Sequence, residues 1–163
     1  MKIHKLTELA LLTAVSLIIF IIELRIPNLA PIPGVKLGLA NIITVYAIFR
    51  YTPSETAMIV IVRLLLGAVF AGTPVTLIYS AAGAFFCLLG MLSVKSFIPK
   101  NFIWLCSMLG AVFHNIGQTC AAFLVMQTPA VIISYLPVLL FSGCVAGLFT
   151  GLCAQMLVNR LSR

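Results

Sequence analysis

Apolar residues run through this chain in long stretches, broken at intervals by short polar or proline-bearing segments. Their lengths predict helices over 6–24, 35–49, 55–71, 75–94, 102–126 and 130–158. A helix needs about 20 apolar residues to cross a bilayer core, with a range of about 17–25. The second stretch is short by that measure. The sixth is overlong, so Pro137 is expected to kink it or mark a tilted start. Between the helices lie Pro27, Pro31, Pro33 and Gly34, then Gly72-Thr73-Pro74, a polar loop over 95–101, and Gln127-Thr128-Pro129. Proline and glycine at these points end one helix and open the next. The pattern predicts an all-α integral membrane protein. Its six transmembrane helices form one bundle, a single domain over residues 1–163, with no convincing internal repeat.

Composition supports the membrane reading. Hydrophobic residues make up 63% of the chain, against roughly 45–50% in soluble domains. Charged residues are 8%, against roughly 25%, and the mean hydropathy is +1.22. A soluble globule has too little polar surface here to cover its exterior. That excludes a soluble enzyme, a disordered tail and a nucleic-acid-binding domain. Lys2 and Lys5 precede the first apolar stretch as in a signal peptide, but the stretch is long enough to span and no clear cleavage site follows. It is expected to be a retained membrane helix.

Charge then orients the bundle. Six spans place both termini on one side. Lys2, Lys5, Arg50, Lys95, Lys100, Arg160 and Arg163 lie on that side, with only Arg25 and Lys36 opposite. Positive residues favour the inside, so both termini are expected to be cytoplasmic, in a bacterial inner or plasma membrane. The five cysteines (87, 106, 120, 144 and 153) all sit in apolar runs without metal-site spacing, and are expected to be small buried hydrophobes.

Small residues recur at helical spacing: Ala10 and Ala14; Gly67 and Ala71; Gly143, Gly147 and Gly151. In lipid such steps allow close backbone approach. They serve either packing within the bundle or docking of another membrane protein.

The candidate chemistry is in the few polar residues at membrane depth, where ionisable groups are costly and therefore informative. Arg63 lies eight residues beyond Glu55, about 12 Å along a helix, near the midplane. Arg keeps its charge in any protein setting, so it needs a glutamate or an anionic ligand. Glu23, near the end of the first span, is the candidate protein partner. His114 and Gln118 are four apart and share a helix face, with Asn115 beside them. Their alternative role is hydrogen bonding between helices. In the loop before the second helix, Pro31, Pro33 and Gly34 precede Lys36 and Asn41. A helix beginning near Lys36 would offer an anion-attracting terminus, or Lys36 simply snorkels to water. Together Lys36, Asn41, Arg63, His114, Asn115 and Gln118 are expected to line a cationic cavity. That cavity suits an anionic or phosphate-bearing ligand with an apolar or planar body.

Three motifs carry a resemblance to a known family: P-G-V-K-L-G-L-A-N at 33–41, R-L-L-L-G at 63–67 and H-N-I-G-Q at 114–118. They are similar to motifs of the Gx transporter family, also labelled heptaprenyl diphosphate synthase component I. That family resembles the six-helix substrate-binding S components of energy-coupling factor (ECF) transporters. The resemblance implies a binding subunit for uptake of a small anionic metabolite. An A-x-x-x-A step on the first helix, here Ala10 and Ala14, would dock a transmembrane coupling protein carrying separate ATPase subunits. The chain has no Walker A motif of its own. Prenyl transfer needs clustered carboxylates for magnesium, whereas the chain has no Asp and three dispersed Glu residues. It is expected not to be an enzyme, to need no cofactor or metal, and to contact membrane lipid but no nucleic acid. Two other readings remain. One is a membrane subunit of a quinone- or flavin-linked electron-transfer or prenyl-lipid system. The other is a purely structural assembly factor.

Overall fold

Proline, threonine and glycine positions set where the helices begin and end. In the computed structural model of the protein, residues 3–25, 38–71, 74–127 and 130–161 are described. They form α1 (Ile3–Arg25), α2 (Asn41–Arg50), α3 (Pro53–Ala71), α4 (Pro74–Lys95), α5 (Ile103–Met126) and α6 (Ala130–Leu161). A single 3₁₀ turn, Lys100–Phe102, leads into α5. There is no strand among the described residues. Pro53 and Pro74 each occupy a first helical position, where the missing N–H costs no hydrogen bond. Thr52 and Glu55 form a reciprocal cap on α3: the Thr52 N–H donates to Glu55 Oε2 at 3.0 Å, and the Glu55 N–H donates to Thr52 Oγ1 at 3.4 Å. Gln127 ends α5 in the left-handed conformation (φ 52°), its N–H returning to the Phe123 carbonyl at 2.7 Å.

The second predicted helix is shorter than expected. Gly38 has φ +66° and Leu39 and Ala40 form a turn, so α2 starts at Asn41 rather than near Lys36. A left-handed residue cannot continue a right-handed helix, so α2 begins only after Gly38. Ten residues of α2 rise about 15 Å, half of the roughly 30 Å hydrocarbon core. Among the described residues five helices are long and apolar enough to cross a membrane, and α2 over its described length is not. Pro137 lies inside α6, which continues on both sides of it from Ala130 to Leu161. Lys36 and the prolines at 27, 31 and 33 fall outside the described residues, as do Gly72, Thr73, Thr128 and Pro129.

α5 packs between α4 and α6, while α1 packs on α3, and α2 touches each of the other five helices. Glycines permit the tightest contacts. A Cβ on Gly147 would sit 2.8 Å from the Met108 Cα, and one on Gly151 2.5 Å from the Trp104 Cα. The Gly143–Gly147–Gly151 ladder therefore serves packing of α6 on α5. Gly67 likewise meets the Phe20 ring. Ala10 and Ala14 differ: both are exposed, on the outward face of α1 with Leu11, Ile18 and Ile22.

The polarity of the bundle is inverted relative to a soluble domain. Its perimeter carries Val69, Phe85, Leu124 and Phe141, while Ser16, Thr56, Arg63, Ser107, Asn115 and Thr150 are buried. Such an arrangement is stable where the surroundings are lipid and every buried polar group needs a partner within the protein. The cysteines need one correction. Cys87 and Cys106 are buried, but Cys120 is exposed and Cys144 and Cys153 are partly so. An apolar perimeter accepts a thiol as readily as a core does.

Candidate functional site

Arg63 on α3 is buried, with only 7% of its surface exposed. Its Nη1 donates to Ser16 Oγ on α1 at 3.3 Å, and its Nη2 to Asn41 Oδ1 on α2 at 3.4 Å. The Ser16 hydroxyl in turn donates a hydrogen bond to the Ala40 carbonyl at 3.2 Å. The guanidinium is thus held by two neutral side chains, at the point where α1, α2 and α3 meet. It has five N–H donors, most of them left for other partners.

Of the two partners open to Arg63, an ion pair with Glu23 is not formed. Glu23 Oε1 accepts the Gly38 N–H instead. Among the described residues the one ion pair is Lys5–Glu55, at 2.6 Å. The Glu23–Gly38 hydrogen bond ties the end of α1 to the left-handed glycine that precedes α2.

A cavity of about 460 Å³ opens beside the guanidinium, within the range of roughly 300–1,000 Å³ typical of small-molecule sites. Glu23, Asn41, Arg63, His114, Asn115 and Gln118 all line it. Of the seven candidate binding residues, only Lys36 lies outside the described part of the chain. The cavity also differs in charge from the cationic one expected. A carboxylate faces it as well as a guanidinium.

The far wall comes from α4, α5 and α6. Asn115 is tied into the fold: its Nδ2 donates to the Leu139 carbonyl of α6, and its side chain fills the space a Cβ on Gly143 would need. The interhelical reading therefore describes Asn115 well. His114 and Gln118 are in a different position. Both lie against Gly83 of α4, which has no side chain to exclude them from the cavity. The imidazole places its Cε1–Nε2 edge on Gly83. His114 Nδ1 is buried and has no hydrogen-bond partner, an exception in a fold where buried polar atoms are normally satisfied.

Sequence reasoning missed Ser16, Tyr79, Ser80 and Ser142. The last three line the cavity, and Ser16 holds the guanidinium. One signal was available for Ser16. It stands seven residues before Glu23, two turns along the same face of α1. Deeper in the hollow, Ser107 and Thr150 share a hydrogen bond at 3.1 Å across the α5–α6 contact. No three His, Cys, Asp or Glu side chains among the described residues are grouped to hold a metal ion.

An apolar perimeter around a hollow that Arg63 and other polar side chains line defines a multi-pass helical membrane protein with a ligand-sized cavity. The chain belongs to the heptaprenyl diphosphate synthase component I family, whose model matches residues 12–157. No curated protein and no solved structure matches it.

Proposed function

We propose that the protein is a substrate-binding membrane subunit of the S-component type. It captures a small anionic metabolite in the cavity beside Arg63 for uptake driven by separate ATPase subunits. The single observation carrying this reading is the setting of Arg63: a permanent charge buried beside an open hollow, with neutral side chains as its hydrogen-bond partners. Burying a charge without a direct ion pair is costly. An anion entering the hollow would complete the site.

The positive-inside bias puts both termini in the cytoplasm of a bacterial cell. The Glu23–Gly38 end of the cavity then faces outward, where a substrate arrives. On the same reading, exposed Ala10 and Ala14 form the face of α1 that docks a transmembrane coupling protein. The protein catalyses no prenyl transfer in this account. Prenyl transfer holds magnesium on carboxylates, and this chain brings one carboxylate, Glu23, to the cavity.

Native mass spectrometry of gently purified protein tests the proposal. A bound small acid is expected on the natural chain and absent from Arg63→Gln. A bound neutral lipid or quinone, equally retained by Arg63→Gln, would overturn it.

A further inference from the structure

Two opposite charges line the cavity, Arg63 of α3 and Glu23 of α1, with only 7% and 9% of their surfaces exposed. They form no ion pair with each other. One short turn holds them apart. It is closed by the Asn41 N–H, which donates to the Gly38 carbonyl at 2.8 Å. Glu23 Oε1 accepts the Gly38 N–H at the start of this turn, and Arg63 Nη2 donates to Asn41 Oδ1 at its end. Ser16 donates to the Ala40 carbonyl between them and accepts from Arg63 Nη1. Glu23 stands seven residues beyond Ser16, about 10 Å further along α1. Closing the two charges on each other would break the hydrogen bonds of the turn. Each also keeps bonding capacity free. The guanidinium has five N–H donors, and Ser16 and Asn41 each take one. Glu23 Oε2 takes no hydrogen bond from a described residue, and it is not sealed in. The described buried atoms that lack a partner are Thr44 Oγ1 and His114 Nδ1.

From this geometry we infer that the ligand is an aminocarboxylate, a small molecule whose carboxylate binds Arg63, whose ammonium binds Glu23 and whose remaining body is apolar. This deepens the proposed function and rests on it, because the carboxylate is the anion that Arg63 receives. A buried charge without an ion pair is costly. Such a ligand relieves both charges at once, through charge-assisted hydrogen bonds at each end. A plain carboxylic acid relieves Arg63 and leaves Glu23 without a cation. A plain amine does the reverse. A diphosphate brings several negative charges into one hollow with the Glu23 carboxylate, and like charges repel most strongly where water is excluded. Phe20, Leu64, Leu77 and Leu139 also line the hollow, and such a wall suits an aliphatic or aromatic body.

The test is binding by purified full-length protein in lipid nanodiscs at neutral pH, read by thermal stabilisation and calorimetry. The probes are matched triplets of an amino acid, its des-amino acid and its decarboxylated amine. They are L-leucine with isocaproate and isoamylamine, L-phenylalanine with hydrocinnamate and phenethylamine, and L-tryptophan with indolepropionate and tryptamine. Geranyl diphosphate completes the set. At least one amino acid is expected to bind at least tenfold more tightly than both of its halves. Glu23→Gln keeps an oxygen for the Gly38 N–H but loses the charge, so the preference over the des-amino acid should fall to within twofold. Arg63→Gln should abolish binding of the amino acid and the des-amino acid alike. A half-molecule or geranyl diphosphate that binds as tightly as every amino acid, and is lost in Arg63→Gln, overturns the inference but leaves an anion-binding cavity standing. A preference unchanged in folded Glu23→Gln also overturns it; if that variant does not fold, the triplets on the natural chain decide alone. Amino-acid binding that survives in folded Arg63→Gln overturns the inference and the proposed function together. Should no probe bind, native mass spectrometry decides. A bound acid that carries an amine upholds the inference, a bound acid without one overturns the inference alone, and no bound acid brings down the proposed function itself.

Discussion

Arg63 on α3 and Ser16 on α1 meet through a 3.3 Å hydrogen bond in the interior of the bundle. The same two helices run parallel here, for Phe20 meets Gly67 one turn further along. The contact places a guanidinium at a helix junction without an ion pair to a described carboxylate. Placing a charge in this way costs stability in the empty protein.

That cost leads to the first prediction. Replacing a buried charge by an apolar side chain of similar volume is often neutral or stabilising, by about 1–4 kcal/mol. Arg63→Met is therefore expected to raise the thermal midpoint of the ligand-free protein or leave it unchanged, while removing stabilisation by any bound acid. A drop of several degrees in the midpoint of ligand-free Arg63→Met would show that the guanidinium is a structural tie instead.

How much of this was readable beforehand differs between residues. The helix boundaries of α1, α3, α4 and α5 follow from apolar length and from Pro53 and Pro74, all of which are local signals. The start of α2 was not readable. A glycine within an apolar pattern gives no sign of whether it is right- or left-handed, and Gly38 is left-handed. Depth along a helix was enough to group Arg63 with His114 and Gln118. The role of Asn115 depended on where Leu139 and Gly143 pass, a tertiary fact absent from the spacing. Glu23 was judged by charge alone as a partner for Arg63. Its commitment to a backbone N–H depends on the conformation fifteen residues away.

The packing of α6 gives a second prediction. Gly147 and Gly151 lie against the backbone of α5, so added volume cannot be absorbed by rotating a side chain. Overpacking costs typically about 1–3 kcal/mol. Gly151→Leu is expected to lower the detergent-solubilised thermal midpoint by several degrees and to reduce the folded yield in size-exclusion chromatography. Unchanged values would mean that α5 and α6 are less closely apposed than the structure has them.

A third concerns the reciprocal cap at the start of α3. Thr52 satisfies the Glu55 N–H and receives the Glu55 carboxylate in return. Glu55 is also the partner of Lys5, so this corner ties α1 to α3 on the side away from the cavity. Thr52→Ala is expected to cost about 0.5–2 kcal/mol, seen as a lower thermal midpoint with ligand affinity unchanged. An equal loss of affinity would mean that the corner and the cavity are coupled through α3.

The last prediction separates the two kinds of small-residue step. Ala10 and Ala14 are exposed on α1, whereas the glycine ladder of α6 is covered by α5. A larger apolar side chain on α1 should meet only lipid in the isolated protein. Ala14→Leu is therefore expected to leave the thermal midpoint within about one degree and ligand binding unchanged, because a surface change away from packed contacts is usually within about 0.5 kcal/mol. In cells the same variant should lose uptake and fail to co-purify with membrane and ATPase subunits, because close backbone approach needs the small residue. Ala10→Leu should behave alike, since the two positions are one turn apart on one face. Full uptake by both variants would remove α1 as the docking face and leave the cavity reading intact, because the two rest on different residues.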